Sequence, residues 1–418
     1  MTAPRILIGG VPFGCDNVGD EAILECIVGI LRHDCPDARL SVSTNDGPAT
    51  ARKLGVETLE LFGFGPPYSR ARMAAALRNH DVFIWGGATG LSDYPEIPLR
   101  MLQLARAAGR TTVLWGVGMN SELNPVWYTV LPGRRRTVLQ WLSRCTGGRF
   151  DAVRAEEQRR EGRARRRIYA ELSQASLVVL RDEPSRREVQ RCGGPLPQAI
   201  VGADSALLLE PTPLEQVRLP EAARQFLAAP GRKIGLCVSA QREIRDRAGL
   251  VALLDRLVAG GDTRLVFVPM NPITDALLMR GLRDAMRQPE RALVVEGRYE
   301  PGEILTVAGT LDVVAASRLH LLILASILHV PIIGISRGSK VDNFLEPFGL
   351  TSVGSVESCD FGRLEGEFRR LLDDRAGFQR RSRQVRQDLL TRLERARVRL
   401  REVLGTAPAA AAGAGGQG

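Results

Sequence analysis

Arg318 and His320 stand two positions apart where an apolar helix begins, in the stretch 315–345, AASRLHLLILASILHVPIIGISRGSKVDNFL. Peptide N–H groups in the first turn of a helix, such as those at Leu319 and His320, have no carbonyl partner, and the macrodipole favours an anion there. Arginine adds a planar charged fork that fits phosphate or carboxylate. Histidine adds a proton that moves near neutral pH. Lys340, in the polar loop after the strand expected at 330–335, is a second cation. Together these residues describe an anion site with an acid/base beside it. A helix start whose arginine meets solvent and whose histidine caps a carbonyl fits the same pattern, so local reading leaves both open.

Such a pair must be carried by an α/β scaffold, because the order around it is strand, loop, helix, strand, loop, helix. The same rhythm runs through the chain. Strands are expected at 5–8, 39–43, 81–85, 111–116 and 176–180, with 199–204 closing the first half, then at 233–238, 264–268, 293–296 and 312–315. Helical periodicity fills the intervals, as at 21–32 with Ala22, Ile23, Cys26, Ile27 and Ile30 on one face. Repeated units of this kind predict doubly wound parallel sheets. The prolines of 211–230 read as a linker. The expected architecture is α/β, with two Rossmann-like domains facing a cleft (GT-B-like) at 1–215 and 225–375, a long C-terminal helix at 376–404, and a disordered tail at 405–418. At the first glycine loop, Asn17 and Asp20 either orient the hydroxyls of a ligand or cap the following helix.

Composition narrows the partners. At 44% hydrophobic and 25% charged, the chain is of ordinary globular type. No apolar run is long enough to cross a bilayer, and no signal-peptide pattern opens the sequence, so a cytoplasmic protein is expected. The seven cysteines are scattered and never form C-x-x-C, which argues against a disulfide framework or a structural zinc. Four histidines, none paired at ligand spacing, give no metal site. The net charge of +10 gathers in Arg134–Arg136, in 154–167 and around Arg380. With few aromatics interleaved and no nucleic-acid module, these runs read as solvated faces rather than a nucleic-acid surface. Peripheral contact with the inner face of a membrane stays open.

SRLHLLILASILHVPIIGISRGSKVDNFLEPFG resembles the C-terminal hallmark of the polysaccharide pyruvyl transferase family. GGVPFGCDNVGDEAIL resembles that family's opening motif, and VVLRDEPSRREV followed by VGADSALLL is a third match. The resemblance implies a GT-B-like fold and transfer of the carboxyethylidene unit of phosphoenolpyruvate to two hydroxyls of a sugar, giving a ketal and phosphate. No cofactor is implied beyond phosphoenolpyruvate as co-substrate; the partner is a glycan or a lipid-linked saccharide. On this reading Arg318 and His320 are catalytic. Arg318, Leu319, His320, Lys340 and Arg242 contact the donor, Arg242 being the nearest match to a family arginine, with Arg245 competing. The 86–93 loop resembles the family's GGG-x-x-x-x-D segment with Ala88 at the third glycine, so Thr89 and Asp93 join Asn17 and Asp20 as acceptor contacts. Two other functions fit the same features. One is a nucleotide-sugar glycosyltransferase using Glu346 on the ribose. The other is a non-catalytic protein that binds polyanions or membranes.

Overall fold

Short apolar runs, each followed by a capped helix, build two parallel sheets. The structure is a computed structural model and describes residues 3–64, 69–147 and 149–405; the expected tail from 406 on lies outside the described residues. The first sheet comprises β1 (Arg5–Gly10), β2 (Arg39–Thr44), β3 (Glu57–Glu60), β4 (Val82–Gly86), β5 (Thr111–Val117), β6 (Leu177–Leu180) and β7 (Ala199–Val201), in the order β3-β2-β1-β4-β5-β6-β7. The second comprises β8 (Arg232–Cys237), β9 (Thr263–Phe267), β10 (Ala292–Val294), β11 (Val313–Ala316) and β12 (Ile332–Gly334), in the order β10-β9-β8-β11-β12. Past its first residue β1 is buried throughout, as is all of β4, because parallel strands are covered on both faces. Asn17, Asp46, Asp182, Asp246 and Asp360 each accept an N–H from the first turn of the helix they precede.

Both strand orders reverse once, at β1/β4 and at β8/β11, and open α/β sheets take ligands beside the carboxyl ends of the strands at such a point. In the second sheet Ala316 lies opposite Cys237, so the loops after β8 and β11 leave side by side. Ser239 N donates to Ser317 Oγ at 2.8 Å and ties the two loops together.

The chain packs as two compact units. One is Met1–Val11, Arg39–Val42 and Phe62–Val201; the other is Pro12–Ala38, Ser43–Leu61 and Gly202–Gly418. The helix Val18–Asp34 therefore belongs with the second sheet, and Val18 N donates to Met270 O at 3.0 Å. The expected linker at 211–230 is in part ordered structure: it holds the helix Glu221–Ala228, and Arg218 grips the buried Glu303. The last helix, Arg375–Leu404, begins at Asp374, whose carboxylate accepts from Gly377 N. It buries a stripe of Phe378, Val385, Leu389, Leu393 and Leu400, four or seven residues apart. Arg397 and Arg401 lock it to the buried Asp34. All seven cysteines are free.

Candidate active site

The helix Leu319–Ile327 is apolar almost all round and buried, which is why it can sit in the middle of its unit. Its mouth follows β11 at the β8/β11 reversal. Arg318 there is only 8% exposed. Its Nε and Nη2 donate to Asp275 Oδ2 and Oδ1 at 2.9 and 2.8 Å. Asp275 is fully buried and also accepts from Ala240 N and Asn271 N, both at 3.1 Å. The bidentate fork is thus engaged within the protein. The pair uses Nε and Nη2, and through it Arg318 pins the helix mouth. Arg318→Lys is expected to lower stability by about 2 kcal/mol, because one ammonium cannot satisfy both oxygens of Asp275. An unchanged melting midpoint would remove the pinning role.

His320 packs on the first turn of Val18–Asp34. Its imidazole lies so close to Gly19 that a Cβ there would stand 2.0 Å from Nδ1. On its other edge Nε2 faces Asp204 Oδ2 at 3.5 Å, within ion-pair reach but too long for a good hydrogen bond. Nε2 is buried and has no hydrogen-bond partner among the described residues. The His320 and Asp204 side chains are 14% and 4% exposed. Asp204 is held by its other oxygen, which accepts from Ala206 N at 3.0 Å.

Asp20 completes the group. Burial pushes its carboxyl above the ordinary range; His320, Lys340 and Arg318 oppose the rise and Asp204 adds to it. Two acids, one imidazole and two cations therefore share one electrostatic environment inside the second unit. Lys340 stands in the first turn of the helix Ser339–Leu345.

The polysaccharide pyruvyl transferase profile matches residues 17–339. The chain belongs to that family. The match opens on Asn17, the cap of the helix that seats His320, and closes on Ser339, one residue before Lys340. No curated protein matches the chain. Among solved structures it resembles HepE of Anabaena in complex with UDP-glucose, with a TM-score of 0.59 and 12% identity over 96% of this chain and 99% of that one. The UDP-GlcNAc 2-epimerase of Neisseria meningitidis bound to UDP-GlcNAc gives the same figures. That of Methanocaldococcus jannaschii gives 0.53 and 13%, over 88% and 92%. At these identities the likeness concerns the fold, which is GT-B-like.

For a pyruvyl transferase family member, the structure brings together His320, Arg318, Leu319, Lys340 and Asp20 in one unit, with Asn17 capping the helix beside them through Gly19 N at 3.2 Å. Arg242 is elsewhere engaged: mostly exposed, it pairs with Glu357 at 3.2 Å. Arg337, which received no role from the sequence, donates from Nη1 to the buried Ser239 Oγ at 2.6 Å, at the same strand reversal. Thr89 and Asp93 belong to the other unit. There Thr89 donates to Asp93, which also accepts from Asn120 Nδ2 at 3.0 Å, so the two brace their loop. Ala88 takes φ +52°, the left-handed conformation that explains a glycine in the family pattern. Asp204 was also missed, although it lies inside the quoted VGADSALLL.

Glu21 is a third miss. It follows Asp20 in the same motif and lines a cavity of about 270 Å³ with Lys53, Arg218, Arg298 and Tyr299. Gly14 N donates to it at 2.7 Å. Burial raises its carboxyl from 4.5 to about 7, helped by Asp20 and opposed by Lys53. The folded chain therefore holds a proton that the unfolded chain releases. This group's contribution to stability is full below about pH 4.5 and is lost as pH climbs through about 7. Glu21→Gln is expected to flatten that fall, leaving the variant more stable than the parent at about pH 8 by on the order of 2 kcal/mol and little changed at about pH 4. Parallel stability curves for the two proteins would refute it.

Proposed function

We propose that this protein transfers the carboxyethylidene group of phosphoenolpyruvate to two hydroxyls of a sugar in a polysaccharide or its precursor, forming a pyruvate ketal and inorganic phosphate. The observation that carries the reading is His320, seated on Gly19, with a buried and unbonded Nε2 in the shared environment of Arg318, Lys340, Asp20 and Asp204. Family membership supports it.

The reaction makes three demands. The donor's carboxylate and phosphate need cations, which Lys340 and Arg318 supply. Its methylene carbon must gain a proton as C2 becomes electrophilic. A sugar hydroxyl must lose a proton as its oxygen bonds to C2; the second hydroxyl then displaces phosphate, closing the ring. His320 is the group suited to move these protons, because an imidazole gives and takes near neutrality. Asp204 beside Nε2 steadies the imidazolium whenever it forms. Burial of Asp20 disfavours its charged form, which lessens its repulsion of the anionic donor.

The test is phosphate release from phosphoenolpyruvate across a panel of glycan acceptors. Release that depends on an acceptor, with a ketal in the product, is expected. Several solved structures of similar fold, such as HepE with UDP-glucose and the Neisseria epimerase with UDP-GlcNAc, hold UDP-sugars, which keeps a nucleotide-sugar transferase as the second reading. A ligand present at a hundredfold its Kd stabilises by about 2.7 kcal/mol. Melting with phosphoenolpyruvate and with UDP-sugars separates the two, and a rise with UDP-sugars alone would overturn the proposal.

A further inference from the structure

Seven of the twelve large apolar side chains that stand exposed among the described residues fall between 126 and 150: Val126, Trp127, Leu131, Val138, Trp141, Leu142 and Phe150. At the centre is the helix Arg134–Cys145, none of whose residues is buried. Its orientation is inverted. A surface helix ordinarily turns its apolar stripe to the core. Here Arg136, Leu139 and Ser143 are the half-covered positions, Arg136 donating to Val130 O at 2.7 Å and Ser143 Oγ accepting from Ala152 N at 2.9 Å. The outward positions Val138, Trp141, Leu142 and Cys145 are spaced three, one and three residues apart, which is one continuous stripe. Trp141 is 61% exposed.

Charge identifies the occupant. From 134 to 149 there are five arginines and no acid. Arg135 pairs with Glu156, but Arg134, Arg144 and Arg149 have no ion pair among the described residues. A second copy of the chain docking symmetrically would set these arginines against their own kind. An anionic lipid surface complements both features: headgroups meet the guanidiniums, and the interfacial zone takes tryptophan and leucine. With twelve residues the helix is far too short to span a bilayer.

We propose that the helix Arg134–Cys145 and its flanking loops form an in-plane anchor that holds the protein on an anionic membrane surface. The inference does not depend on the pyruvyl-transfer reading. It gives a physical reason to expect a lipid-linked rather than a free acceptor.

The test is co-sedimentation of the full chain with phosphatidylcholine vesicles, with and without phosphatidylglycerol. Binding is expected only with the anionic lipid and should weaken as salt rises. Tryptophan emission should shift blue on binding, and Trp141→Ser should abolish most of that shift. The variant R134E/R144E/R149E is expected to lose about a hundredfold in partitioning, at about fivefold or more per arginine. W141S/L142S should lose roughly tenfold or more. Because no residue of this helix is buried, both variants should melt with the parent, which separates lost binding from lost folding. Equal binding to neutral vesicles, no binding at all, or binding indifferent to both variants would overturn the proposal. So would a dimer in sedimentation equilibrium that these substitutions dissociate.

Discussion

His320→Ala is expected to cut acceptor-dependent phosphate release by on the order of a hundredfold or more, while the protein still folds. The size of the loss follows from the role. A positioned acid/base typically contributes a hundredfold to ten-thousandfold, and no second imidazole shares this environment. The mild effect on folding follows from what the ring leaves behind. Its Nε2 is buried without a hydrogen bond, so truncation removes an unsatisfied polar atom together with some packing. The two terms oppose each other, and a net change within about 2 kcal/mol is expected. Turnover near the parent's value would take His320 out of the chemistry. A lost melting transition would show that its packing against Gly19 holds the unit together. The measurement needs both phosphate release and thermal unfolding.

The rest of the site should respond differently. Arg318 is fastened to Asp275, so its replacement should appear first in stability, whereas His320 should appear first in rate. Sequence reasoning placed both at the helix mouth because the evidence there is local: an apolar run too regular to be a loop, entered by two polar residues. It could not see that Asp275 takes the arginine's fork. An aspartate in the first turn of Thr274–Arg283 looks like any acid favoured by a helix dipole. In the same way the periodicity of 21–32 showed which face of that helix is buried, but not that it packs against Leu319–Ile327. Period reports a face, and the partner of that face is a tertiary fact. Ten strands were visible as apolar runs after turns; of the other two, β7 is only three residues long. The second, β3, Glu57–Glu60, is short and only half-buried, with acids at both ends, so it carries no alternation to read. The arginines at 134–136 were read as a solvated face; the outward turn of Val138, Trp141 and Leu142 emerges only from the packing of the next helix.

A methyl group on Gly19 is expected to damage turnover about as much as removing the imidazole. The added Cβ would lie 2.0 Å from Nδ1, 2.3 Å from Cγ and 2.8 Å from Cβ of His320. No rotation of the ring clears all three, so the histidine must leave its position, and a displacement near 1 Å at a catalytic group can cost about a hundredfold. Helix propensity pulls the other way. Gly19 lies in the first turn of Val18–Asp34, where alanine would otherwise favour the helix by up to about 1 kcal/mol. Overpacking at about 1–3 kcal/mol should outweigh that gain, so Gly19→Ala should be both slow and less stable. The cause can be isolated by repeating the substitution in the His320→Ala background. There only the milder 2.8 Å approach remains, and the stability penalty should shrink by about 1–2 kcal/mol. Equal penalties in the two backgrounds would mean that Gly19 serves something other than the seat of the imidazole.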